Sequence, residues 1–249
     1  MSELRITNIE AIREQDAAPA IGPAVAVFDL DGTLVDTAPD LAASVNHCLS
    51  AAGLPEVPEA VIRPFSGLGA RAMLTHGFAQ AGLNLSEAEL EAQTACFLTF
   101  YEAHIADRST LFPGTIEAMD RLEAEGFVLA VCTNKTERLA RLLCETIGIA
   151  SRFRAICGAD TFRRRKPDPI HLLGTIERCG GDPRASIMVG DSRVDVDAAW
   201  ASGIPSILVD FGYGVDEATR SAAGRVVASY AEIDRPLLDG LVRERAASH

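Results

Sequence analysis

The sequence predicts an α/β protein: a parallel sheet covered by helices on both faces, with a helical domain inserted into it. Three observations carry that expectation. The runs "AVAVFDL" (24–30), "FVLAVCT" (127–133), "SIMVGD" (186–191) and "SILVD" (206–210), with a weaker "RAICG" (154–158), are apolar almost throughout, as strands buried on both faces are. Helical patterns alternate with them from residue 115 onward, the order a doubly covered parallel sheet requires. Residues 38–108 hold no convincing strand and are too many for one crossover helix.

Taken in order, residues 1–23 are polar with Ala and Pro and read as a loose extension, with a short helix around Ile6–Arg13. The first strand follows. "APDLAASVNHCLSAAG", "GARAMLTHGFAQAG" and "SEAELEAQTACFLTFYEAHIA" then read as amphipathic helices between Gly/Pro breaks, and "STLFPG" returns the chain to the sheet. "TIEAMDRLEAEG" and "TERLARLLCETIG" end on Gly126 and Gly148, where a helix C-terminus favours glycine. "DPIHLLGTIERCG" opens with Asp168 as N-cap and Pro169 at the first helical position. The expected organisation is a discontinuous, Rossmann-like sheet domain (24–37 and 109–249) and a helical insertion (38–108).

Composition narrows the function classes. With 249 residues, 48% of them hydrophobic, the chain can bury a substantial core. A net charge of −12 argues against nucleic acid or an anionic membrane as partner. The six cysteines stand singly, with no Cys/His cluster, which disfavours zinc or a disulfide framework. The N-terminal residues do not form a secretory signal and no apolar run is long enough to span a bilayer. The expectation is a cytoplasmic protein, monomer or homodimer, that takes a small anionic metabolite.

Ligands of open α/β sheets bind beyond the carboxyl ends of the strands. Those ends carry Asp29 and Asp31, then Thr133 and Asn134, then Asp191, while Lys166 precedes a helix in "RRRKPDP". Carboxylates, a hydroxyl and a lysine suit Mg²⁺ together with a phosphoryl group. In order along the chain, "DLDGTLVD", "CTN", "KPDP" and "GDSRVD" resemble the four motifs of the haloacid dehalogenase-like superfamily, and "DLDGTLVDTAPDLAASVN", "LFPG", "TNK", "GDSRVDVDAAWASG" and the "YG" at 213–214 resemble its phosphoglycolate phosphatase group.

The resemblance implies a Mg²⁺-dependent phosphomonoester hydrolase, with 2-phosphoglycolate the first candidate substrate. It makes Asp29 the nucleophile of an aspartyl-phosphate intermediate and Asp31 the general acid and base, kept protonated by crowding against Asp29. Thr133 and Lys166 would hold the phosphoryl group. Mg²⁺ would be bound by the Asp29 and Asp191 carboxylates and the Asp31 backbone carbonyl, with Ser192 and Asp195 supporting them from behind. Gly32 would let the backbone approach the phosphate, followed by Thr33. Asn134 is divided between phosphate contact and capping. The insertion would be a cap domain hinged near Thr37–Pro39 and Asp107–Pro113, presenting Gly67, Gly69 and Arg71 to the substrate; Arg71 reads equally as a carboxylate contact or an exposed side chain.

The remaining features have plainer readings. Asp36 is structural or supports the site, and Asp197 faces solvent. Arg163–Arg165 form a solvated loop that also suits drawing in anions. His47, His76, His104 and His171 lack metal spacing and read as packing or surface groups. Sibling activities with the same core are a pyrophosphatase, a sugar phosphatase or a β-phosphoglucomutase-like transferase; a catalytically silent binding module would be marked by loss of Asp29, Asp31 or Asp191, and all three are present. Dehalogenase chemistry has no need of Asp31, and phosphonate cleavage through a Schiff base needs a lysine that residues 38–108 do not contain.

Overall fold

The computed structural model describes residues 22–247; the expected helix around Ile6–Arg13 lies outside them. Six parallel strands form the main sheet: β1 (Val25–Phe28), β4 (Val128–Cys132), β5 (Phe153–Cys157), β6 (Ile187–Gly190), β7 (Ser206–Val209) and β8 (Arg225–Val227), in the spatial order β5-β4-β1-β6-β7-β8. β1 is central, paired with β4 on one side and β6 on the other. The chain order reverses there, and such a switch point opens a crevice at the strands' carboxyl ends.

Successive residues of β1, β4, β5 and β6 enter two different cores, because side chains alternate across a strand. Val25, Val27, Ala130, Cys132 and Met188 pack under helices α7 (Pro169–Arg178) and α8 (Arg193–Ala201), with Leu172, Ile176 and Ala198. Ala26, Phe28, Leu129, Val131 and Val189 pack on the opposite face against α5 (Thr115–Ala124) and α6 (Glu137–Ile147), through Met119, Leu122, Leu139 and Leu143. This is why the strands read as continuous apolar runs rather than alternating ones. α7 begins where Asp168 accepts the Ile170 N–H, with Pro169 at its first position.

Between the first and second strands of the sheet lie the expected helices, α1 (Ala38–Ala51), α3 (Ala70–Gln80) and α4 (Glu87–Ala103). The sequence reading passed over a short α2 (Glu59–Ile62), the 3-10 turn at Arg63–Leu68, and strand β8. It also passed over a second, two-stranded sheet, in which β2 (Val35–Asp36) runs antiparallel to β3 (Thr110–Leu111). The chain leaves the main sheet through β2 and returns through β3, so the two connections lie side by side. Elements of two or three residues have no periodicity to detect; only their pairing partners, far away in sequence, define them.

The two connections are also fastened by a buried carboxylate. Asp40, in the first turn of α1, accepts the N–H groups of Arg108 at 3.1 Å and Ser109 at 2.7 Å and the Ser109 hydroxyl at 2.6 Å. Removing it leaves buried donors without partners. Asp40→Ala is expected to cost about 2–3 kcal/mol of stability, since bonds to an ionised group are the stronger class, with Asp40→Asn losing less. Urea unfolding measures both, and an unshifted Asp40→Ala midpoint would contradict this account of the two connections.

Candidate active site

β1 ends at Phe28, and the Asp29 N–H continues the ladder to Val189 O at 2.9 Å. The Asp29 side chain therefore emerges at the carboxyl edge of the sheet, between the ends of β4 and β6. Its Oδ1 lies 3.1 Å from Lys166 Nζ, which donates to Asp195 Oδ1 at 2.5 Å. Asp191, one residue beyond β6, accepts the N–H groups of Tyr213 at 2.7 Å and Gly214 at 3.3 Å through Oδ2. Carboxylate oxygens of Asp29, Asp191 and Asp195 all lie within 4.8 Å of one another.

This cluster is short of positive charge. Burial, aided by Asp195 and Asp31, pushes Asp29 up to about 6 against the pull of Lys166. Burial, with Asp195 and Asp29, pushes Asp191 up to about 8. Burial works against the Lys166 ammonium, yet Asp195 and Asp29 outweigh it and hold its pKa above the ordinary lysine range. One ammonium among three buried carboxylates leaves an uncompensated deficit, which a hard cation with oxygen ligands would fill. The donor set therefore fits a divalent metal. Both Asp195 oxygens are already engaged, Oδ1 by Lys166 and Oδ2 by the Ser192 N–H and hydroxyl, so Asp29 and Asp191 are the freer ligands.

The Lys166 backbone is held at two points. Its N–H donates to His171 Nδ1 at 3.1 Å and its carbonyl accepts from Asn134 Nδ2 at 3.1 Å. Burial and the neighbouring Lys166 charge press the His171 pKa down to about 4, which keeps the imidazole neutral and able to accept. His171 is thus a brace for Lys166, a role its sequence surroundings did not suggest. Thr133 is buried at the cleft and its Oγ1 accepts the Lys135 N–H at 3.3 Å. Asn134 also lines the cleft; its Oδ1 is buried and has no hydrogen-bond partner.

Asp31 faces away from this cluster. Its carboxylate accepts from the Thr37 hydroxyl at 2.6 Å and lies 3.0 Å from Lys135 Nζ, so its setting is not the simple crowding against Asp29 expected from spacing. Lys135 in turn donates to Tyr101 Oη at 3.0 Å, with its ammonium 4.6 Å from the ring centroid. Tyr101 comes from α4 and Lys135 from the end of β4, so this contact joins the helical insertion to the sheet. Neither residue was singled out from sequence, although Lys135 lies only two positions past Thr133 at the same strand end.

A cleft of about 200 Å³ joins these groups. Asp29, Asp31, Thr133, Asn134, Lys135 and Lys166 line it from the sheet; Ser66, Gly67, Gly69, Met73 and Tyr101 line it from the insertion. Arg165 is exposed at its border. Arg71 is not among its lining residues: it is half exposed and pairs with Glu87 at 2.6 Å. Ala70 and Met73 turn one face of α3 to the cleft, and the helical advance of about 100° per residue carries Arg71 off that face.

Gly32 and Thr33 also differ from expectation. The Gly32 N–H is spent on Val35 O at 2.9 Å, and a Cβ there would fall 2.4 Å from Asp191 Oδ2 and 2.8 Å from the Tyr213 ring. The glycine admits Asp191. Thr33 is buried outside the cleft lining, and its carbonyl accepts from Tyr230 Oη at 2.8 Å. Asp36 is structural: it takes both arms of Arg63 at 3.0 and 3.1 Å and the Tyr213 hydroxyl at 2.6 Å. Asp197 pairs on the surface with Arg193.

The family model of haloacid dehalogenase-like hydrolases matches residues 26–209. The chain belongs to that family. Its relatives include proteins named phosphoglycolate phosphatase from Mesorhizobium japonicum, 44% identical over 90% of this chain and 98% of the relative, and from Agrobacterium fabrum, 45% identical over 90% and 96%. Among solved structures, a protein described as a "predicted phosphoglycolate phosphatase" from Haemophilus somnus 129PT superposes with a TM-score of 0.76 at 29% identity, covering 84% of this chain and 95% of that one. Among the described residues no helix is long and apolar enough to cross a membrane.

Gly32 offers a direct test of how tightly the site is packed. Its φ of +79° disfavours a side chain, as does the +72° of Gly53, but a Cβ at Gly53 meets nothing within 4 Å. Strain alone should cost Gly53→Ala about 1–3 kcal/mol. Gly32→Ala should lose clearly more in urea unfolding, because Asp191 must move as well; equal losses would show that Asp191 is not confined.

Proposed function

We propose that the chain is a Mg²⁺-dependent phosphomonoester hydrolase that converts 2-phosphoglycolate to glycolate and phosphate. The observation that carries this reading is the division of two carboxylates at one strand end. Asp29 turns toward Lys166 and the acidic cluster, while Asp31 turns toward Lys135 and the helical insertion. A nucleophile and a proton carrier on opposite sides of one reacting phosphorus need that arrangement.

In this reading an Asp29 oxygen forms a bond to phosphorus as the bond to the substrate's bridging oxygen breaks. Asp31 delivers its proton to that departing oxygen, and glycolate leaves. Asp31 then takes a proton from water, whose oxygen attacks the aspartyl phosphate, releasing phosphate and restoring the Asp29 carboxylate. Lys166 and Thr133 hold the phosphoryl oxygens, with His171 and Asn134 fixing the lysine's backbone. Mg²⁺ bound by Asp29, Asp191 and the Asp31 carbonyl would neutralise the crowded carboxylates and the charge on the phosphoryl group.

Residues 38–108 act as the cap, and the paired β2 and β3 connections act as its hinge. The relatives' names support phosphoglycolate as the substrate. Cleft size supports it too: about 200 Å³ falls below the roughly 300–1,000 Å³ of pockets for drug-sized ligands and suits a very small metabolite.

Phosphate release from 2-phosphoglycolate, with Mg²⁺ and with excess EDTA, tests the reading. Turnover should require the metal, and full activity in verified metal-free enzyme would exclude it. Asp29→Asn should form no phosphoenzyme. Asp31→Asn should lose roughly 10²–10⁴ in rate, while good leaving groups still phosphorylate Asp29; near wild-type turnover would remove Asp31 from the proton relay.

A further inference from the structure

Phosphate-directed groups account for one side of the cleft but leave a buried cation on the other. Lys135 has a side chain only 8% exposed and lies against Asp31 rather than the phosphoryl-facing cluster. Of its three N–H donors, one meets Tyr101 Oη at 3.0 Å and one reaches Asp31 Oδ1 at 3.0 Å. Ser66 lines the same cleft from the insertion, is buried, and its Oγ has no hydrogen-bond partner. A buried hydroxyl facing a cleft without a partner is costly unless a ligand supplies one. The other basic side chains at the cleft are committed or exposed: Lys166 to Asp29 and Asp195, Arg165 to solvent at the border.

We infer that Lys135, with Ser66, is the receptor for the substrate's carboxylate and sets the preference for a 2-phospho-carboxylate over neutral phosphomonoesters. This rests on the phosphatase reading above and names the residues that read the rest of the substrate. Two points of chemistry place the carboxylate there. In 2-phosphoglycolate the carboxylate carbon is two bonds from the bridging oxygen, so a substrate offering that oxygen to Asp31 brings its carboxylate beside the Asp31–Lys135 pair. The Lys135 ammonium also keeps one N–H donor beyond those that meet Tyr101 and Asp31, and that donor is available to a substrate oxygen. Tyr101, which orients that lysine, belongs to the cap, so the receptor is complete only with the cap against the sheet.

The test compares wild-type enzyme with Lys135→Met, Lys135→Arg and Ser66→Ala on 2-phosphoglycolate and on ethyl phosphate, which has a methyl group where the carboxylate stands. Lys135→Met should raise KM for 2-phosphoglycolate and lower its kcat/KM preference over ethyl phosphate by about tenfold or more. Lys135→Arg should keep more of that preference, and Ser66→Ala should lose about fivefold of it. The serine variant carries the test if Lys135→Met does not fold. Equal losses on both substrates would make Lys135 a counter-ion of Asp31 and overturn the inference while leaving the phosphatase reading intact. Wild-type enzyme that does not hydrolyse 2-phosphoglycolate would overturn the phosphatase reading itself.

Discussion

The structure is organised by one electrostatic constraint, the burial of three carboxylates around a single lysine at the carboxyl edge of the sheet. Asp29, Asp191 and Asp195 come from the ends of two adjacent strands and the helix that follows the second. No isolated buried carboxylate is tolerated cheaply, so donors are gathered around them. Lys166 and the backbone N–H groups of Ser192, Tyr213 and Gly214 point inward as donors. Where the backbone comes closest, at Gly190 and Gly212, a Cβ would lie 2.3 Å and 2.1 Å from Asp195 and Asp191 atoms respectively. The remaining negative charge is what would let the cluster hold a cation.

A second polar system ties the helical insertion to the sheet. Arg63 grips Asp36, Tyr213 Oη donates to Asp36 Oδ1 and accepts the Ala38 N–H, and the Arg63 guanidinium lies 5.3 Å from the Tyr213 ring centroid. Because the Tyr213 N–H is bound to Asp191, the residue that anchors the insertion also positions a carboxylate of the cluster. Closer to the chemistry, Lys135 and Tyr101 make the corresponding link at Asp31. The two systems join the insertion to the sheet domain at Asp36 and at Asp31.

How much of this was legible in the sequence follows from what is local. Five of the six sheet strands are long enough to stand out as apolar runs, the three long helices of the insertion are long enough to display a period, and the strand-end rule picked out Asp29, Asp31, Thr133, Asn134 and Asp191. β8, β2 and β3 are too short to show one. Arg71 read equally as a carboxylate contact or an exposed side chain, because only the rotational phase of α3 decides which way it points. That Gly32 also admits the Asp191 carboxylate could not be read locally, because Asp191 is remote in sequence. Lys135, Tyr101 and His171 act through partners on other elements, which no local pattern reports.

The most direct measurement is a crystal structure with Mg²⁺ and beryllium fluoride, which mimics a phosphoryl group on an aspartate. The account predicts fluoroberyllate bonded to an Asp29 carboxylate oxygen and the cation at about 2.0–2.1 Å from Asp29 and Asp191 oxygens, with the Asp31 side chain still beside Lys135. Fluoroberyllate on a different aspartate, or a cation held by the Asp31 carboxylate instead of Asp191, would contradict it.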